Sequence, residues 1–207
     1  MHFVRQPFTA NLESGVSQMN DNSTTIQVNG KEIKTLCDIL PSSPGLRVLF
    51  IAKTPVPKSV AAGHYFQGKQ GRMFWDQLIN YGLLQPITEY EDDSLLDRGF
   101  GITDVVKVPR EFRNEPSDED YRAGIDRILE LIAIHKPKVV VFVYKRVLDK
   151  ILKLRFGLYE KSDYGFNLRF DRYFGSRVFV FPMPGTPCNS AHADKAMRDL
   201  VELLRAD

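Results

Sequence analysis

Three side chains in this 207-residue chain could hold or move a proton at a reacting centre: Thr54, His64 and Asp104. A threonine hydroxyl carries one donor and two acceptor pairs, enough to orient a water molecule. A carboxylate such as Asp104 can activate water and stabilise an oxocarbenium-like centre. A histidine can act as acid or base, so His64 could do either. Each also has a plain structural reading: Thr54-Pro55 as a strand exit, Asp104 as the cap of a turn, His64 as a hydrogen-bonded core histidine. Other chemistries lack their residues. Cys37 and Cys188 are too few for a disulfide framework, and no Cys/His cluster has zinc spacing, so no metal is expected. Nor is there a Gly-x-Ser-x-Gly elbow, a phosphate loop or a Gly-x-Gly-x-x-Gly turn.

The elements that would position these groups alternate in type. Asn29-Gly30, inside the apolar–polar pattern of Ile26 to Ile33, is a hairpin signal. Arg47 to Ala52 is a short apolar run suited to a buried strand. Phe74, Trp75, Leu78, Ile79 and Leu83 fall at helical spacing, with Gly82 placed to end that helix. Gly101 to Val108 reads as a second strand or strand-like loop, and Ser117-Asp-Glu-Asp120 as a capping box opening a helix. Val139 to Val143 reads as a third strand, Val147 to Leu154 as a helix, Arg177 to Phe181 as a strand and Ala191 to Leu204 as a final helix. Residues 155–177 exceed an ordinary connection, and an inserted hairpin is expected there. The pattern implies an α/β three-layer sandwich around a central, mostly parallel sheet. Ligands bind such sheets at the carboxyl ends of the strands, which directs attention to loops 52–72 and 182–190.

Those two loops carry a resemblance. The first reads Ala52-Lys-Thr-Pro55, then Ala-Gly-His-Tyr-Phe66, then Arg72-Met-Phe-Trp75; the second reads Phe181-Pro-Met-Pro-Gly-Thr186. Together with Gly101-Ile-Thr-Asp-Val-Val106 they stand in the order of the uracil-DNA glycosylase superfamily, and most resemble its mismatch-specific thymine/uracil branch. The resemblance covers about residues 36–204. It implies an enzyme that flips a damaged base out of duplex DNA and hydrolyses its N-glycosidic bond. It further implies no cofactor, a stacking role for Phe66, and a base pocket built from Ala52, Lys53, Pro55, Tyr65, Phe66 and Arg72. Met183, Pro184, Gly185 and Thr186 match the turn that enters the minor groove, with Asn189, Ser190 and Lys145 as further DNA contacts. The mismatch-specific branch positions its water with an Asn where this chain has Thr54. A hypoxanthine-acting branch uses an Asn just before its Phe-Trp, where this chain has Met73. Thr54, Asp104 and His64 are therefore the candidates for the catalytic role. The substitutions keep a second function in view, a glycosylase fold that binds nucleic acid without cleaving it.

Charge gives a partial check. The chain carries a net charge of +2, with 28 basic and 26 acidic residues, which excludes a uniformly basic surface. The span from Lys138 to Arg177 carries +6, interleaved with aromatics, in a pattern that suits either a nucleic-acid surface or a solvated face. The expected partner is damaged or mismatched duplex DNA, with no membrane and no obligatory protein partner. Residues 1–25 are expected as a flexible arm and 26–207 as the domain. No secretory signal is legible, so an intracellular site is expected, cytoplasmic and at the nucleoid in a bacterium.

Overall fold

A computed structural model describes residues 21–111 and 113–206. Most of the expected arm therefore lies outside the described residues. β1 (Ser23–Val28) begins within the part read as arm and pairs antiparallel with β2 (Lys31–Leu36), Ile26 facing Ile33. Asn29 and Gly30 turn this hairpin with φ of 50° and 74°, the left-handed pair that matches strand twist.

The central sheet has five strands: β3 (Val48–Ala52), β4 (Phe100–Asp104), β5 (Val139–Phe142), β6 (Gly165–Phe166) and β7 (Arg177–Val180). Their order is β4-β3-β5-β7-β6, parallel except for the short edge strand β6. Strands β3, β4 and β5 are buried along their whole length, which explains why they read as apolar runs without polar alternation. Alternate residues feed two separate cores. Val48, Phe50 and Ala52 pack on one side, under α2 (Lys69–Asn80) and α6 (Ser190–Arg205). Leu49 and Ile51 pack on the other, under α3 (Asp118–His135) and α4 (Lys145–Phe156). Two short helices, α1 (Pro57–Ala62) and α5 (Asp171–Phe174), complete the set. The result is the three-layer α/β arrangement anticipated from sequence. Among the described residues, no helix is long and apolar enough to cross a membrane.

Local signals mostly hold. Ser117 and Asp120 form the reciprocal capping box of α3, and Gly82 turns left-handed just past α2. The inserted hairpin does not form. Residues 157–176 instead return to the sheet edge as β6, antiparallel to β7, followed by a 3-10 turn and α5. Asn167 organises this return, its side-chain amide donating to the carbonyls of Asp163 and Gly165.

The chain leaves β3, runs out to β4 and comes back across α3 to β5 on the other flank of β3. That reversal opens a crevice at the carboxyl ends of β3, β4 and β5. Helix α3 is clamped close to it: a Cβ on Gly124 would stand 1.9 Å from the Val105 carbonyl oxygen, just past β4. Alanine favours helix over glycine by about 1 kcal/mol, yet this contact decides the sign. Gly124→Ala is expected to destabilise the fold by about 2–4 kcal/mol in urea denaturation.

Candidate active site

The loop after β3 is fastened to the segment after β4. The Val106 amide donates to the Lys53 carbonyl (3.0 Å) and the Arg110 amide to the Pro55 carbonyl (3.0 Å). The Thr54 hydroxyl donates to the Val108 carbonyl at 2.6 Å. Its only proton is thereby engaged, and what it can offer a ligand is an acceptor lone pair. Pro57 then opens α1, where a missing N–H does no harm, and Gly63 closes it in the left-handed region.

The chain next makes its least comfortable turn. Phe66 holds φ at 57°, a conformation unusual for a bulky residue. Three sets of bonds impose it. The Tyr65 amide donates to Asp92 (2.8 Å), the Tyr65 hydroxyl donates to the Cys37 carbonyl (2.8 Å), and the Trp75 indole N–H reaches the Tyr65 carbonyl (3.3 Å). Gly71 lies against Phe66 so closely that a Cβ would stand 2.0 Å from the Phe66 carbonyl oxygen, so only glycine fits there. The Phe66 ring is braced by Phe74 and Trp75, with centroids 4.8 and 5.8 Å away. A strained aromatic over-determined in this way is typical of a ligand clamp.

Between these loops lies a cavity of about 350 Å³. Its wall includes Thr54, Pro55, Tyr65, Phe66, Asp104 and Tyr144. Asp104, register partner of Ala52 at the end of β4, is 1% exposed, and its Oδ2 is shut from solvent without a hydrogen-bond partner. Burial pushes its carboxyl up to about 7. Lys107 and Arg127 pull it down, and Asp38 reinforces the rise. Burial likewise pushes the Tyr144 phenol up to about 12, with the Asp104 charge adding to it. A mostly apolar cavity, one clamped aromatic and a carboxyl poised near neutrality make a site able to stack a flat ring and exchange a proton.

The sequence carries the same message: residues 41–204 match the family model described as the Uracil DNA glycosylase superfamily. The chain belongs to this superfamily.

Not every residue assigned to a superfamily site in this chain reaches the cavity. Lys53 does, and its ammonium is 2.9 Å from Glu115. Ala52 is a core residue of β3, 1% exposed and outside the cavity wall; it shares a sheet face with its register partner Asp104, but its lone methyl packs wholly within the α2–α6 core. Arg72 projects from α2 into solvent and stands 3.8 Å from Glu91, since the turn of the helix carries it away from Gly71. His64 is buried behind the cavity. Its Nδ1 lies 2.8 Å from Asp92 and its ring stacks on Tyr90 at 3.6 Å. His64, Asp92 and Asp93 are the group among the described residues with metal-ligand proximity. Asp92 already accepts from the Tyr65 amide and Asn22, and Asp93 accepts from Thr88. The cluster reads as the clamp that sets the Tyr65–Phe66 backbone.

The second loop is a tight turn with Pro184 and Gly185 at its centre. The Thr186 amide and hydroxyl both donate to the Met183 carbonyl, at 3.2 and 2.7 Å. Gly185 has φ of 81°, which the third position of a Pro-Gly turn requires. Met183 is buried and anchors the turn from below, so the exposed tip is Pro184-Gly185. Asn189 caps α6, accepting from the His192 amide at 2.7 Å, with exposed Ser190 as its first residue. Thr186 and Lys145 share a groove with Arg146 and Tyr164 beside the main cavity, and Tyr144 forms part of both.

Tyr144 was absent from the expected site, although it directly follows the apolar run of β5. Its place at the end of the strand adjoining β3 was the available signal.

The raised Asp104 carboxyl has a stability consequence. Its folded value lies near 7 and its unfolded value near 4, so the unfolded chain releases the proton first as pH rises. Stability from this group therefore falls between about pH 4 and 7 and then levels. Asp104→Asn is expected to gain on the order of 2–4 kcal/mol over the parent at pH 8. The gain should vanish near pH 4, as read by urea denaturation at the two pH values.

Proposed function

We propose that this chain is a monofunctional DNA glycosylase. It draws a deaminated or mismatched base (uracil, a mispaired thymine or hypoxanthine) from duplex DNA into the Phe66 cavity and hydrolyses its N-glycosidic bond. The observation that carries this reading is the buried Asp104 carboxyl, with an unpartnered oxygen, in the wall of a cavity that also holds a clamped aromatic. Superfamily membership supports the substrate class, and the motif order supports a place near the mismatch-specific branch.

In this reading Phe66 stacks on the extruded base, and Tyr144 walls the cavity on the side of the Lys145 groove. Ionised Asp104 accepts a proton from water as its oxygen bonds to C1′ of the sugar. The C1′–N bond breaks, its electron pair leaves with the base, and a proton from Asp104 or solvent completes the free base. Thr54, with its proton on Val108, accepts from the second hydrogen of the water. The Pro184-Gly185 tip enters the minor groove, and Lys145 and Arg146 meet backbone phosphates.

The test is base release from duplex oligonucleotides carrying uracil, a G·T mispair, hypoxanthine or xanthine. Release is expected to rise with pH through about 7, because the carboxylate form acts as the base. Asp104→Asn should lower the rate by about 10²–10⁴-fold. Phe66→Ala should weaken binding of the lesion duplex more than binding of intact duplex. Salt-sensitive duplex binding with no release from any of the four substrates would replace this reading with the non-cleaving, nucleic-acid-binding one.

A further inference from the structure

The family match opens at residue 41, yet the segment before it is built into the cavity. Leu36, at the end of β2, lines the cavity wall, and the Cys37 carbonyl receives the Tyr65 hydroxyl. Ile39 bridges antiparallel to Ile102, each amide donating to the other's carbonyl at 3.0 Å. This exit from the hairpin covers the outer edge of β4, the edge strand whose last residue is Asp104.

Asp38 stands at the centre of that contact. Its Oδ1 accepts from the Thr103 hydroxyl (2.7 Å) and the Lys107 ammonium (2.8 Å), and its Oδ2 accepts from Arg127 (2.6 Å). Arg127 also donates to the backbone carbonyl of Asp104. Two cations thus stand beside the end of β4, and one carboxylate from outside the family match stands between them. We propose that Asp38 is a positioning residue for the candidate site, which offsets Lys107 and Arg127 and so sets the protonation balance of Asp104.

The charges around Asp104 fit this role. Burial holds its carboxyl up, Lys107 and Arg127 oppose burial, and Asp38 works with it. Tyr65 and Tyr144 face it as neutral phenols, both pushed up by burial. The other titratable groups in the cavity wall are Lys53, which pairs with Glu115, then Lys58, Lys69 and Glu111. Removing the Asp38 charge leaves Lys107 and Arg127 uncompensated, which favours the carboxylate of Asp104. Removing the Lys107 charge does the reverse.

The experiment is a ¹³C-carboxyl NMR pH titration of the full chain, with the Asp104 signal assigned by its loss in Asp104→Asn. In Asp38→Asn the Asp104 midpoint is expected to fall by about one pH unit, and in Lys107→Met to rise by about as much. Asp38→Glu should restore the parent value. Opposite movements are not expected from a merely structural salt bridge, whose loss would leave the midpoint in place. Unmoved midpoints in both variants, or movement in the same direction, overturn the proposal. If Asp38→Asn fails to fold, Lys107→Met decides, and an unmoved or lowered midpoint overturns it. The consequence for catalysis rests on the glycosylase reading: the pH at which base release begins should move with the midpoint. Shifted midpoints without release would overturn that reading alone, and a flat titration would overturn only the role of Asp38.

Discussion

The parallel pairing of β3 with β4 sets Ala52 opposite Asp104, and the site depends on that register. It brings the two strand ends to one level, so the loops leaving them run side by side. The Val105, Val106 and Arg110 amides then donate to the Ala52, Lys53 and Pro55 carbonyls. A slip of one residue would turn Asp104 away from the cavity and Thr103 toward it, because side chains alternate across the sheet. The core enforces the register from both faces, with Phe50 and Ile102 on one side and Leu49 and Ile51 on the other. The same packing that stabilises the sheet therefore fixes where the carboxyl points.

Two features of the site work against stability. Phe66 is held in a left-handed conformation, which costs about 1–3 kcal/mol, and Asp104 is buried beside an apolar cavity with an unmet acceptor. Neither would survive without surrounding over-determination. The His64–Asp92 pair, the Tyr65 hydroxyl, the Trp75 indole and the Gly71 contact all act on the Tyr65–Phe66 segment. Asp38, Lys107 and Arg127 brace the end of β4. Phe66 and Asp104 line the same cavity, so this strained backbone and this unmet acceptor coincide at one place, as expected when a fold gives up stability at its functional site.

What could be read from the sequence was what short-range physics determines. The apolar runs of β3 and β5, the Ser117 capping box, the Asn29-Gly30 turn and the Gly82 stop each depend on a few adjacent residues. What could not be read was side-chain direction. Ala52, Arg72 and Met183 sit within site motifs, but core packing around a lone methyl, the helical turn and the anchoring of the Pro-Gly turn keep them from the cavity. His64 was legible as a residue with a partner; that its partner is Asp92, 28 residues on, was not. The ambiguous span 155–177 was misread because its structure is set by a two-residue pairing with β7 and by the Asn167 amide, both contacts made only in the folded chain.

The charge pattern shows the same limit. The span from Lys138 to Arg177 carries +6, but the topology divides it. The parallel strands all point their carboxyl ends to the pole that holds the cavity, so Lys138 and Arg177, just before β5 and at the start of β7, stand at the opposite pole. Most of the rest is neutralised locally: Lys150 by Asp118, Arg155 by Asp126, Lys161 by Asp149, and Arg169 by Glu160 and Asp163. Lys145 and Arg146, at the start of α4, line the groove beside the cavity, and Arg146 stands 3.1 Å from Glu115. A positive total over forty residues thus leaves two cations in the groove beside the cavity, with most of the others held in ion pairs and Lys153 and Arg172 set over the Tyr159 and Tyr173 rings. Exposed pairs of that kind contribute little to stability and are screened by salt. Any electrostatic pull on a polyanion from this span would act mainly where Lys145 and Arg146 share a groove with Thr186, next to the cavity through Tyr144.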